Sequence, residues 1–337
     1  MLSLLWVAAS NGFTVATIGA LLPILTTAAI YAIAGVGLNM QYGEGGLLNF
    51  GFVAFMAIGG YTTVLLLPHQ QGSTSTELTS GLPLYLAVVL GMLAAAAVGA
   101  LFAIPALRLR ADYLAIVMIA LAEILRISLR SVPEVTGGVY GVSSFTSSLQ
   151  NLRPGFLDEV GSAMRVQPSQ LWIALVAWSC LLLVTVATAL LMRTPWGYLL
   201  RAVRDDEYAV RSLGKRSTLV KLQVLMVGGA IGGLSGSLLS FQLSHVTPDI
   251  FQPQVTFFIF AIVILGGTSN PWGPLVGSII FWVVLTQSGT LAAQYLGSGT
   301  VAAALRYILV GILIVALINF RPHGILGRRQ DAILKFE

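Results

Sequence analysis

The sequence predicts an all-α, polytopic membrane bundle of about eight to ten spans. Three observations point there. Of 337 residues, 56% are hydrophobic and only 9% charged, with a mean hydropathy of +0.88. The apolar residues come in stretches close to the roughly 20 that cross a bilayer as a helix. Lys and Arg gather at the ends of those stretches, so the net charge of +5 is no sign of nucleic-acid binding.

The stretches fall at about 12–40, 47–67, 83–107, 113–131, 170–192, 218–243, 255–268, 271–288 and 301–320. The first is either one pass or a broken pair around Pro23. Trp172, Trp178 and Trp196 flank or enter the fifth, as interface anchors do. No linker divides the chain, so residues 1–337 read as one domain. Met1 to Trp6 lacks the positive region of a secretory signal. Cys180 is the only cysteine, which excludes internal disulfides and thiolate metal sites. His69, His245 and His323 have no metal-ligand spacing.

Orientation follows from the two densest basic clusters, Arg193–Lys221 and the 321–337 tail, both expected in the cytoplasm. An even number of spans separates them. Counting back places the 132–169 loop outside, Arg108 and Arg110 inside, and the Ser/Thr-rich 69–82 loop outside. Arg126 and Arg130 then oppose the rule, which suggests a specific task for them.

The segment 193–217 is the most informative. Arg193–Lys221 holds seven Lys/Arg and three acids between apolar stretches. Thr194 is placed to N-cap a helix with Pro195 in its first position. Leu199, Ala202, Val203, Val210 and Leu213 recur at helical spacing, with Arg201, Arg204, Asp205 and Arg211 on other faces. Glu207 and Arg211 are an i,i+4 pair, and Gly214 is the expected C-cap. A lipid-seeking helix would avoid the acidic triplet Asp205, Asp206 and Glu207. The pattern predicts a lever gripped by a protein partner. Ser212–Ser217 is not a phosphate loop: Ala209 stands where a Gly is required, and Arg216 where Ser or Thr must follow Lys215. Any ATP and Mg would be bound by another polypeptide, and this chain is expected to carry no cofactor.

Two Gly-rich polar interruptions occur, one in each half. The first is 43–51, with Glu44, Asn49 and Phe50; the second is 266–274. Broken helices in corresponding halves point to a transport path. That role is favoured for 43–51, whereas 266–274 fits a tight cytoplasmic turn equally well. Glu123 lies roughly 15 Å into its span, where Arg126 is its natural ion-pair partner. A direct substrate contact is the alternative. Thr136, Gly137 and Gly138 read as a turn, or else as an outer gate. Gly228, Gly232 and Gly236, shadowed by Gly229, Gly233 and Ser237, form a packing strip for another helix, in this chain or a sister subunit.

Several stretches resemble a known family: the inner-membrane permease subunits of branched-chain amino acid ABC importers (LivH/LivM type), and most nearly the M-type. They include Gly35–Asn39, Ala57–Thr62, Leu107–Val117 with Glu123 and Arg126, Thr136–Gly138, Gly197 to Gly214, Leu265–Gly267, Trp272–Pro274 and Phe320–Gly324. The resemblance covers about residues 30–327. It implies a bacterial inner-membrane importer of two permeases, two cytoplasmic ATP-binding subunits and an external substrate-binding protein, in which residues about 196–214 dock on the ATPase. The same resemblance implies that this subunit is no enzyme and works by alternating access. Many members carry a Gln-x-Ser-Leu-Gly-His pattern where this chain has Glu44 to Gly51, without the His. Relatives move urea, short amides or neutral amino acids, so a urea or amide permease is the first alternative. An ATP-independent channel or carrier is an alternative of a different class.

Overall fold

The computed structural model describes residues 15–68, 81–106, 109, 111–143, 145, 147–164 and 166–296, with 308, 311, 312, 315 and 324–327. Most of the expected ninth span, most of the 69–82 loop, Arg108, Arg110 and most of the tail lie outside them.

Helix α1 (Val15–Asn39) runs unbroken through Pro23 into one π turn, Met40–Glu44. The structure thus resolves the open choice at Pro23 as a single helix. Proline has no N–H to give the carbonyl four residues earlier, and its own carbonyl accepts side-chain bonds from Thr27 Oγ1 (2.9 Å) and Gln242 Nε2 (3.3 Å) that tie the helix at this point. Next come α2 (Val53–Leu66), α3 (Leu84–Ala106) and α4 (Ala111–Ser131). The outer-loop region holds three short helices, α5 (Pro133–Thr136), α6 (Ser147–Gln150) and α7 (Phe156–Met164). Then follow α8 (Pro168–Leu191), α9 (Pro195–Asp205), α10 (Glu207–Ser212) and α11 (Ser217–Leu243). The described helices end with α12 (Pro253–Gly266) and α13 (Gly273–Leu296). The one departure from all-α is a two-residue ribbon, β1 (Val142–Ser143) antiparallel to β2 (His245–Val246), with Val142 opposite Val246.

Helix α11 is the axis, with 83% of its apolar window buried. Lipid tails are as apolar as leucine, so helices associate in a membrane through close packing and hydrogen bonds between them. The glycine strip supplies the closeness. A Cβ on Gly236 would collide with the Met56 carbonyl, one on Gly59 with the Gly233 backbone, and one on Gly229 would lie 2.8 Å from the Ala95 carbonyl. The strip therefore packs on α2 and α3 of this same chain. Small hydroxyls add bonds: Thr63 Oγ1 and Ser237 Oγ are 2.7 Å apart, and Ser235 Oγ donates to the Ile30 carbonyl at 2.8 Å. Each is worth roughly 0.6 kcal/mol in a membrane, so packing dominates.

Among the described residues four helices are long and apolar enough to cross a bilayer, whereas α2 and α12 have 14 residues each. At 1.5 Å per residue they reach about 21 Å, short of the roughly 30 Å core. The stretch expected to span from residue 47 is helical only from Val53. Residues 45–52 are irregular but sheltered. Leu47 N donates to the Gln41 carbonyl (2.9 Å), Gly51 N to Asn49 Oδ1 (3.0 Å) and Val53 N to Thr256 Oγ1 (3.1 Å). Non-helical backbone survives at membrane depth only when satisfied in this way.

We expect Gly236→Val to lower the thermal midpoint of the detergent-solubilised chain by several degrees, reflecting roughly 1–3 kcal/mol of overpacking. Gly155→Ala, with nothing within 4 Å of the new methyl, should leave it unchanged. Fluorescence-detected melting compares the two, and equal midpoints would contradict the packing account.

Candidate functional site at the charged segment

The charged segment folds as two helices rather than one. Asp206 takes extended backbone angles between α9 and α10, and its Oδ1 accepts from Ala209 N at 3.0 Å. An aspartate that caps a new helix this way competes with continuing the old one. Thr194 occupies the N-cap position of α9, but its hydroxyl donates back to the Leu191 carbonyl at 2.7 Å. Gly214 has φ +76° and closes the end of α10, its N–H meeting the Arg211 carbonyl.

The buried face of this pair is Gly197, Leu200, Val203 and Val210. Leu199 is partly buried against the core, and Ala202, Asp205 and Asp206 are exposed. Leu213, expected on the apolar face, is 79% exposed, alongside Tyr208 at 81% and Tyr198 at 62%. Spacing alone does not reveal this, because the break at Asp206 resets the helical phase.

Two arginines of α9 point inward. Arg201 Nε donates to Glu44 Oε2 at 2.5 Å, and Glu44 is only 3% exposed. Arg204 Nη1 donates to the Gly43 carbonyl (2.5 Å) and to Ser269 Oγ (3.1 Å). Ser269 Oγ itself donates to the Gly43 carbonyl at 2.8 Å. Asn39 completes the knot, accepting from Ser269 N (3.0 Å) and donating to the Asn270 carbonyl (2.9 Å). The two Gly-rich interruptions thus meet, and they meet at the charged segment. Gly46 lies against Arg204 with φ +67°, a backbone region and a clearance that suit glycine. The tail joins the same end: Ile325 N and Leu326 N donate to the carbonyls of Leu265 and Gly266.

Glu207 turns toward its own chain as well. It accepts from Arg211 Nη2 (2.7 Å), Ser217 Oγ (2.8 Å) and Lys221 Nζ (2.7 Å). Burial pushes the Glu207 carboxyl up, but the bonds from Lys221 and Ser217 and the charges of Lys221 and Arg211 outweigh it. The net effect holds it below the usual glutamate range.

The other expected residues lie apart from this knot. Asn49, buried, donates to Gln41 Oε1 at 2.9 Å, and Phe50 stacks on Phe260 with centroids 4.4 Å apart. Glu123 accepts from Arg126 Nη2 (2.6 Å) and Nε (3.0 Å), while Arg126 Nη1 reaches Asp249 at 2.7 Å. Asp249 lies in the 3-10 turn Pro248–Phe251 leading into α12, so Arg126 ties α4 to that turn. Thr136 is buried with its hydroxyl on the Leu129 and Val132 carbonyls; Gly137 caps α5 at φ +71°, and Gly138 N donates to Thr136 Oγ1. A Cβ on Gly228 would strike the Gln41 side chain, and one on Gly232 would lie 3.0 Å from Phe55 Cβ.

Asn39, Gln41, Ser269, Asp249 and Lys221 were not singled out as site residues. Asn39 and Gln41 had a readable signal, two amides at the end of a long apolar helix. Ser269 and Asp249 had none, since their partners are distant in sequence.

The family described as the permease component of branched-chain amino acid transport systems matches residues 20–318. The chain is 32% identical to the high-affinity branched-chain amino acid transport system permease protein LivM of Salmonella typhimurium, over 90% of this chain and 69% of that one. It is 28% identical to the probable branched-chain amino acid transport permease protein LivM of Methanocaldococcus jannaschii, over 91% and 93%. With the permease protein LivH of Salmonella typhimurium the figures are 24%, 91% and 94%. No solved structure matches. The chain belongs to the branched-chain amino acid transport permease family and is an integral membrane protein.

Arg201→Leu leaves the buried Glu44 carboxylate unpaired and should destabilise the chain by about 3 kcal/mol; the double variant with Glu44→Gln should recover most of this. A cycle of unfolding free energies tests it, and additive losses would exclude the pair. Because the folded Glu207 value is lowered, its contribution is fully present above the ordinary value of 4.5 and fades as pH falls through the folded value. The stability gap between wild type and Glu207→Gln should therefore close in acid below that range, as read by melting across pH.

Proposed function

We propose that this chain is one permease of an ATP-driven importer in a bacterial inner membrane, moving branched-chain or other neutral amino acids by alternating access. A second permease, two ATP-binding subunits that hold ATP and Mg, and an external substrate-binding protein complete the transporter. The charged segment faces the cytoplasm and docks on an ATP-binding subunit through the exposed Tyr198, Tyr208 and Leu213, with Asp205 (its side chain 67% exposed) beside them.

One observation carries the reading. Arg201 and Arg204 join the lever to Gly43–Glu44 at the end of α1 and to Ser269 in the α12–α13 turn. Movement of α9 is thereby transmitted to both broken helices at once. From Glu44 the chain re-enters the membrane through Asn49 to Phe50, which stacks on α12 through Phe260. The lever's motion reaches the interior along that path. Glu207, held by Lys221, Arg211 and Ser217, sets the angle of α10 on α11 and does not itself touch the partner. At the far end Arg126 links Glu123 to Asp249 and keeps α4 and the turn before α12 together. The solute class rests on the relatives' names; the coupling path rests on the geometry.

In vesicles holding the assembled transporter, Leu213→Asp should abolish co-purification of the ATP-binding subunits while leaving the permease folded. Arg204→Ala should keep them bound and still hydrolysing ATP, but cut leucine uptake by about tenfold or more, a transmission loss of about 1.4 kcal/mol or more. Uphill uptake by this chain alone, or full uptake by Arg204→Ala, would refute the mechanism.

A further inference from the structure

Against the Arg201–Glu44 pair opens a cleft of about 400 Å3, with the coupling residues Glu44, Arg201 and Ser269 in one part of its wall and Arg193 and Trp272 in another. Its walls include Met192 and Arg193 at the α8–α9 corner, Tyr198 and Arg201 of α9, the buried Glu44, and Trp272 before α13.

Three features define what fits there. The first is charge. Two guanidinium groups face one carboxylate, and that carboxylate is already held by Arg201 Nε. Among the described residues no ion pair takes up Arg193, which is exposed and leaves the cleft with one uncompensated positive charge. The second is depth. Arg193 is the first charged residue after the 24 residues of α8, and α8 presents Leu182, Leu183, Val186 and Leu190 outward, an apolar face of the kind lipid tails cover. The cleft begins where that face ends, at the level of the headgroups. The third is its aromatic rim: Tyr198 and Trp272 are both largely exposed, in the position such rings take at a membrane–water boundary.

We propose that the cleft binds the phosphate of one anionic phospholipid, from the leaflet at the charged segment's end. Arg193 holds the phosphate, the charge of Arg201 lies behind it, and Trp272 and Tyr198 flank the headgroup. Basic pockets at helix ends take anionic headgroups for this electrostatic reason. A soluble phosphate would meet the same guanidinium groups but would gain nothing from the apolar α8 face. The lipid would brace the corner from which α9 departs, next to the first anchor of the lever. The proposal requires only that the chain spans a membrane, so it stands or falls independently of ATP coupling.

The test is native mass spectrometry of the delipidated full-length chain titrated with phosphatidylglycerol or phosphatidylcholine. One phosphatidylglycerol should bind more tightly than phosphatidylcholine, and Arg193→Gln should weaken it about fivefold. Arg216→Gln, an exposed basic residue of the same segment outside the cleft, should leave that affinity unchanged; Trp272→Ala should weaken it without altering the melting midpoint. Equal binding of the two lipids, equal losses for Arg193→Gln and Arg216→Gln, or displacement of phosphatidylglycerol by millimolar inorganic phosphate would each overturn the lipid assignment.

Discussion

A carboxylate that is 3% exposed at the end of a membrane helix is costly to leave without a partner. Arg201 is the residue that answers Glu44, and the rest of the assembly follows from where that arginine has to be. To bring it within 2.5 Å, α9 must lie across the ends of α1 and the α12–α13 turn. Once there, Arg204, one turn on, meets the Gly43 carbonyl and Ser269. A surface helix would have been free to detach. This one is anchored by charge-assisted bonds to backbone and side chains that have few other partners.

The same constraint shapes the membrane interior. Backbone groups with no water nearby must be satisfied by protein, so a chain that breaks its helices at residues 45–52 has to be enclosed. The enclosure is the glycine-lined surface of α11. Gly228 leaves room for Gln41, whose side chain holds Asn49, Gly232 leaves room for the Phe52 and Phe55 side chains, and Gly236 lets the start of α2 approach to backbone contact. Close packing, a buried amide pair and an irregular re-entry are therefore one feature with three parts. Enlarging Gly228, Gly232 or Gly236 disturbs the enclosure of residues 45–52.

The far end of the bundle is built differently. There Arg126 is shared by Glu123 and Asp249, both partly exposed, and Arg130 lies 3.9 Å from Asp249. A shared guanidinium in a partly solvated setting is easily exchanged, whereas the Glu44 contact is not. The molecule thus pairs a firm anchor at the lever with a looser tie at the opposite end.

The all-helical membrane class, the position of the charged helical segment, the Glu123–Arg126 pair and the small-residue strip were all legible in the sequence. Each rests on local periodicity or on the cost of burying charge, which a chain carries in its own order. Three things were decided only by the tertiary structure. The lever breaks at Asp206 because a side chain three residues short of Ala209 competes with helix continuation, and propensity does not settle that contest. Glu44 belongs with Arg201, and Gly43 with Ser269, across separations of 157 and 226 residues, where no periodicity reaches. Leu213 and Tyr208 face outward because the break turns α10 relative to α9. Local rules wrote the elements; burial of one carboxylate and two carbonyl-bearing turns chose how they meet.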